Sequence, residues 1–106
     1  CQLYDEAVIE AVAVPQLATF HAAIQFARVE GIIPAPESAH AIRAAVDEAL
    51  RCKQEGVRRT ILFNLSGHGH FDLGAYQSFL ANQLQDYDYP EQNVEEALKG
   101  LPKVAV

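Results

Sequence analysis

A hydroxyl and two imidazoles crowd one short loop of this chain: Ser66, His68 and His70, within Asn64-Leu65-Ser66-Gly67-His68-Gly69-His70. Those groups raise three chemistries: nucleophilic attack by the serine, metal ligation by the histidines, and ligand binding by a glycine-rich backbone. A serine hydrolase needs a base oriented by an acid, and no acid stands at a recognisable triad position. The G-x-S-x-G and P-loop patterns are absent too. A metal site would need His68 and His70 together with Asp72 or His40. An H-x-H pair shares a face in a strand, but a glycine-rich loop leaves its geometry undefined. No third ligand lies at a recognisable spacing, so no metal is expected. The third chemistry has more behind it. Ser66 closes an apolar run, at the carboxyl end of a candidate strand, where open parallel sheets collect ligands. Gly67 and Gly69 let the backbone approach a ligand closely. A helix follows, and its amino end could face an anion. An ordinary strand-to-helix turn accounts for the same residues, because glycine-rich turns are common punctuation.

Glu37 is the second candidate. It stands between Pro36 and Ser38 at a helix start, where an acid complements the helix dipole whatever else it does. The functional reading is a carboxylate presented beside a ligand. His40, three residues on, can share its face, as a hydrogen-bonded pair on a solvated surface more readily than as a catalytic dyad. His21 reads as a partly buried or surface histidine. Cys1 and Cys52 form neither a disulfide framework nor a CxxC motif, and fit a reducing, cytoplasmic setting.

The elements that must position these groups follow from periodicity and punctuation. Ile9 to Val14 alternates and reads as a short strand. Pro15 opens a helix with Leu17, Phe20, Ile24 and Ala27 on one stripe, ended by Gly31. Pro34 and Pro36 hold Ile33 and Ala35 in extended geometry. A second helix starts at about Pro36 to Ser38, buries Ile42, Val46 and Leu50, and stops at Gly56. Thr60 to Leu65 is a nearly continuous apolar run, the pattern of a strand covered on both faces. Phe71 to Leu84 reads as a helix, Asp86 to Pro90 as a connector, and Val94, Leu98 and Leu101 as a short last helix. That order predicts an α/β domain with a partial parallel sheet flanked by helices. With only two convincing strands, the sheet calls for a dimer or a larger parent. Residues 1–106 are read as a single domain fragment with a loose tail at 103–106.

Half the 106 residues are apolar, a globular composition, and a chain this long leaves roughly a third of its unfolded surface exposed. The formal net charge of −6, with no basic run, argues against nucleic acid. No apolar stretch approaches the ~20 residues of a membrane span. The start CQLYDEAVIEA carries acids where a secretion signal needs bases, and no methionine opens the chain, which fits a fragment or a trimmed product.

Two segments, EGIIPAPESAHAI (Glu30 to Ile42) and ILFNLSGHGHFD (Ile61 to Asp72), resemble the C-terminal part of the tryptophan synthase beta chain, and most of all its divergent second type. EAVAVPQLATFHAA (Glu10 to Ala23) and YPEQNVEEALKGLP (Tyr89 to Pro102) extend the resemblance over nearly the whole chain. The resemblance implies part of a two-domain, pyridoxal-phosphate-dependent fold that joins indole to L-serine, giving L-tryptophan and water. By motif, Glu37 would be the glutamate over the cofactor that assists proton transfers. Ser66 would be the serine that hydrogen-bonds the pyridine nitrogen, with Gly67 and Gly69 keeping side chains clear of the cofactor. A neutral hydroxyl can donate to an unprotonated nitrogen, whereas a carboxylate would keep that nitrogen protonated. The ring is then a weaker electron sink, which favours β-elimination over transamination.

In the first type of chain a basic and then an acidic residue stand where His68 and His70 stand here. This departure, with Pro36 in place of a leucine, is a second-type mark and speaks against tight coupling to an alpha subunit. The family's Schiff-base lysine and its glycine-rich phosphate loop have no counterpart in these residues; Lys53, Lys99 and Lys103 lie in no matching motif. The chain alone is therefore expected to hold no cofactor tightly and to be inactive. Its expected partners are the missing N-terminal part of the parent and further copies of itself, with an alpha subunit as the weaker candidate. The alternative is an independently encoded binding or self-assembly domain that reuses the fold without catalysis.

Overall fold

Two helices of unequal length make the frame. In the computed structural model, which describes residues 1–87 and 90–99 (backbone alone at Glu91, Gln92 and Leu98), a short α1 (Gln2–Asp5) precedes α2 (Gln16–Glu30) and α3 (Pro36–Glu55). A 3₁₀ turn (Gly69–Phe71) leads into α4 (Leu73–Leu80), and α5 (Glu91–Lys99) follows. The punctuation read from the sequence sets the long helices. Pro15 is the residue just before α2, and Pro36 is the first residue of α3, where its missing N–H costs nothing. Gly31 and Gly56 end the two helices at φ 71° and 67°, a left-handed turn that glycine enters without strain.

Helices α2 and α3 pack through small residues. Ala23 and Ala39 are completely buried, and Thr19, Phe20, Ala22, Ser38 and Ile42 are buried around them. Across this pair lies α4. Phe20 meets Tyr76 edge-on at 5.2 Å and stacks on Phe79 at 5.4 Å, arrangements that aromatic rings favour. Ile24, Ile33, Ala75 and Leu84 close the cluster. No side chain of α2 caps its own amino end. A carboxylate oxygen of Asp86 accepts the Leu17 N–H at 2.9 Å instead, and the Gln16 amide donates to the Gln85 carbonyl.

The partial parallel sheet flanked by helices is not there: the described residues contain helices and no strand. Ile9 to Val14, expected as a strand, forms none; Ile9 to Ala13 are exposed, with Val12 at 79%, and Val14 is half-buried. Residues 57–66 form no ladder, and the one bridge in this part of the chain joins Pro34 to His68. A strand exists by its ladder of backbone hydrogen bonds to a neighbour, and the described residues offer this segment no partner strand. It lies on α3 instead. Ile61, Phe63 and Leu65 turn inward, with Phe63 edge-on to Phe26 at 6.2 Å, while Leu62 is 95% exposed. Coverage of both faces, expected from the apolar run, is thus coverage of one. Glu48 of α3 ties the segment down through Arg59 at 3.1 Å and also pairs with Arg51, and these cations hold its carboxyl below the usual range.

The helix expected from Phe71 to Leu84 is shorter. It spans Leu73–Leu80, with Phe71 exposed in the 3₁₀ turn and Asn82 at φ 56° beyond the end. The loose tail expected at 103–106 lies outside the described residues. Among the described residues no helix is long and apolar enough to cross a membrane.

Candidate functional site

The segments Glu30 to Ile42 and Ile61 to Asp72 meet in space. The Gly69 N–H donates to the Ile33 carbonyl at 2.9 Å, and Pro34 bridges to His68 in antiparallel fashion. Pro34 is fully buried, and its carbonyl accepts from the Tyr76 hydroxyl at 2.6 Å. Gly69 is where the two loops touch. A Cβ there would stand 2.4 Å from the Pro34 oxygen, 2.9 Å from Ile33 and 3.0 Å from Tyr76. The residue is glycine for lack of space, not for backbone freedom. Gly67 is the opposite case, at φ 75°, with the Ala35 methyl 3.3 Å from where its Cβ would be.

Behind that contact lies Ser38, the residue after Glu37. It is 4% exposed, and its hydroxyl donates to the Ser66 carbonyl while its oxygen lies 3.4 Å from the Ser66 hydroxyl oxygen. The start of α3 and the Ser66 loop are thereby joined, and they carry Glu37 and Ser66, both exposed, on adjoining parts of the surface. The sequence alone does not flag Ser38, because a serine in the first turn of a helix reads as ordinary capping. Nor does it flag the Tyr76 hydroxyl, which sits on the apolar side of α4.

The histidines take other parts. His70 donates its backbone N–H to His68 Nδ1 at 3.3 Å, and the two rings lie 4.7 Å apart, with Phe71 against His68 at 5.4 Å. No group of three or more His, Cys, Asp or Glu among the described residues could hold a metal ion. His40 turns to α2, with Nδ1 3.2 Å from Thr19 Oγ1. The Thr19 hydroxyl already donates to the Pro15 carbonyl at 3.0 Å, so His40 is the donor in that contact. It supports the helix pair. His21 lies edge-on to Phe79 at 4.9 Å.

Tyr76 is the site's perturbed group. Burial raises its pKa, and the negative charges of Asp72 and Glu37 add to the shift. The neutral hydroxyl, a donor to the Pro34 carbonyl, is the form this packing holds.

No protein-family model matches the chain. Curated relatives do. The chain is 60% identical over 86 residues to "Tryptophan synthase beta chain 2" of Aquifex aeolicus, a match covering 81% of this chain and 20% of that protein. To the protein of the same name in Methanosarcina acetivorans it is 58% identical over 83 residues, covering 78% and 19%. To that of Pyrococcus furiosus it is 45% identical over 100 residues, covering 94% and 22%. The chain thus spans about one fifth of the length of the relatives it matches. Over the residues it contains, the chain belongs to the tryptophan synthase beta chain family, with second-type chains recurring among its relatives.

Proposed function

We propose that these residues form the C-terminal segment of a second-type tryptophan synthase beta chain, and that they supply one edge of its pyridoxal phosphate site. The observation that carries the reading is the join of Ser38 to Ser66, which ties the first turn of α3, where Glu37 stands, to the Ser66 loop. Ser66 offers a neutral, exposed hydroxyl, a donor suited to a pyridine nitrogen that carries no proton. Gly67, in its left-handed turn, places no side chain beside that hydroxyl. Glu37 offers an exposed carboxylate at the head of α3, suited to passing protons over the cofactor ring. Pyridoxal phosphate, when bound, supplies an electron sink for the amino-acid substrate.

The fit covers the ring-nitrogen edge alone. The Schiff-base lysine and the phosphate loop belong to the other four fifths of the parent, so this chain by itself neither retains the cofactor nor makes tryptophan from L-serine and indole. The partners that follow are that missing portion and, through it, a homo-oligomer. The histidines in place of a closing ion pair leave an alpha subunit as the weaker candidate. The test uses a complete beta chain carrying these residues. Glu37→Gln lowers the rate of tryptophan formation by about 100-fold or more while the cofactor stays bound. Ser66→Ala alters the absorbance of the bound cofactor and weakens its retention. Wild-type rate in the first variant and a wild-type spectrum in the second would overturn the reading.

A second reading rests on a different observation. Leu62 is 95% exposed and Phe71 92%, so the isolated chain carries uncovered apolar surface. An independently made domain of this sequence would self-associate there without catalysis. Sizing the purified chain tests it, and a clean monomer sinks it.

A further inference from the structure

We propose that Ser38 is a positioning residue for the Ser66 hydroxyl: it fixes the Ser66 carbonyl from below and accepts the Ser66 hydroxyl's hydrogen bond until a ring nitrogen accepts it instead. The inference rests on the reading of Ser66 given above and goes beyond it. Ser38 is 4% exposed and lies against a residue 28 positions away, so it is no part of the solvated surface. A serine has one proton to give. That proton goes to the Ser66 carbonyl. In the 3.4 Å contact between the two hydroxyl oxygens, Ser66 must then be the donor and Ser38 the acceptor.

Two consequences follow. The Ser66 backbone is anchored by a bond that does not compete with the ligand, so its side chain starts from a fixed point. Its proton is held only by a long contact, which costs little to release when the hydroxyl turns to an unprotonated nitrogen. Ser38 also adjoins Glu37 in the first turn of α3, so its bond ties the start of that helix to the Ser66 loop. Pre-organisation of this kind reduces what must be ordered when the ligand binds.

A double-mutant cycle in the complete beta chain tests this, with the dissociation constant of pyridoxal phosphate as one readout. A second readout, independent of turnover, is the ¹⁵N resonance of cofactor labelled at the pyridine nitrogen. Ser66→Ala weakens cofactor binding by about 5- to 10-fold and moves the nitrogen signal, as expected for loss of one hydrogen bond. Ser38→Ala weakens binding by about 3- to 5-fold and moves the signal in the same direction. In the Ser66→Ala background, Ser38→Ala changes neither readout by more than about 1.5-fold, because its effect passes through Ser66. Ser38→Thr, which restores the hydroxyl, recovers the wild-type nitrogen signal. The proposal is overturned if Ser38→Ala leaves that signal in place, if its effect persists undiminished in the Ser66→Ala background, or if Ser38→Thr fails to restore the signal. If Ser66→Ala itself leaves the signal unmoved, the reading of Ser66 falls and the role of Ser38 falls with it.

Discussion

At Gly69 and Tyr76 single atoms decide whether the two loops can meet. A methyl group on Gly69 would enter the Pro34 carbonyl, which is held in place by Tyr76 and by the burial of Pro34 itself. Gly69→Ala should therefore destabilise the fold by about 2 to 3 kcal/mol, the range for overpacking against rigid backbone. Gly74, near the start of α4, has nothing within 4 Å of where its Cβ would stand. Gly74→Ala should be stabilising, by about 0.5 to 1 kcal/mol, since it removes backbone freedom from the unfolded chain. Urea melts of the two variants check the opposite signs. Tyr76→Phe leaves the buried Pro34 carbonyl without its donor and should cost about 1 to 3 kcal/mol. It also carries a pH signature. The Tyr76 pKa is raised in the fold, so its contribution is complete below the ordinary tyrosine value of about 10 and is lost as pH rises through the folded value. The wild-type chain should lose more stability than Tyr76→Phe between about pH 8 and about pH 11. Equal losses in paired urea melts would contradict the assignment.

Helices and strands differed in how far they could be read. Helices α2 and α3 were legible because the information that stops them is local: a proline at one end and a glycine in a left-handed turn at the other. Residues 60–65 carried a strand's composition, yet a strand is completed by a neighbour, which no run of side chains can provide. The alternating exposure of Ile61 to Leu65 is what remains of that strand character. The resemblance implied that Glu37 and Ser66 serve one cofactor, but the contact between the two loops had no sequence signal, because Ile33 and Gly69 are far apart in sequence and nothing local pairs them. Ser38 carries no sequence signal, because a buried bond to a distant carbonyl leaves no periodic trace. Asp86→Ala removes the carboxylate that caps α2 and should cost about 1 kcal/mol in thermal or urea unfolding. Leu62→Ser should change stability by less than about 0.5 kcal/mol, because the side chain is almost fully exposed. If self-association of the isolated chain runs through this residue, the same variant shifts it toward monomer in gel filtration.

As a whole, the molecule is spread thin. Its radius of gyration is 17.2 Å, where a compact domain of this length would have about 13 Å. Its buried cluster is centred on Phe20, Ala23, Ala39 and Tyr76, while Leu62, Phe71, Val12 and Val29 are exposed. The proposed function accounts for this form, because on that reading a larger beta chain supplies the surface that these apolar residues pack against. On the proposed function, these residues complete a site whose lysine and phosphate loop come from the rest of a beta chain. This completion is tested most directly by expressing the two pieces separately and measuring tryptophan formation from L-serine and indole with pyridoxal phosphate. Neither piece alone should be active, the mixture should be, and Glu37→Gln in this chain should abolish the gain. Turnover by this chain alone, or a mixture whose activity ignores Glu37→Gln, would contradict the account.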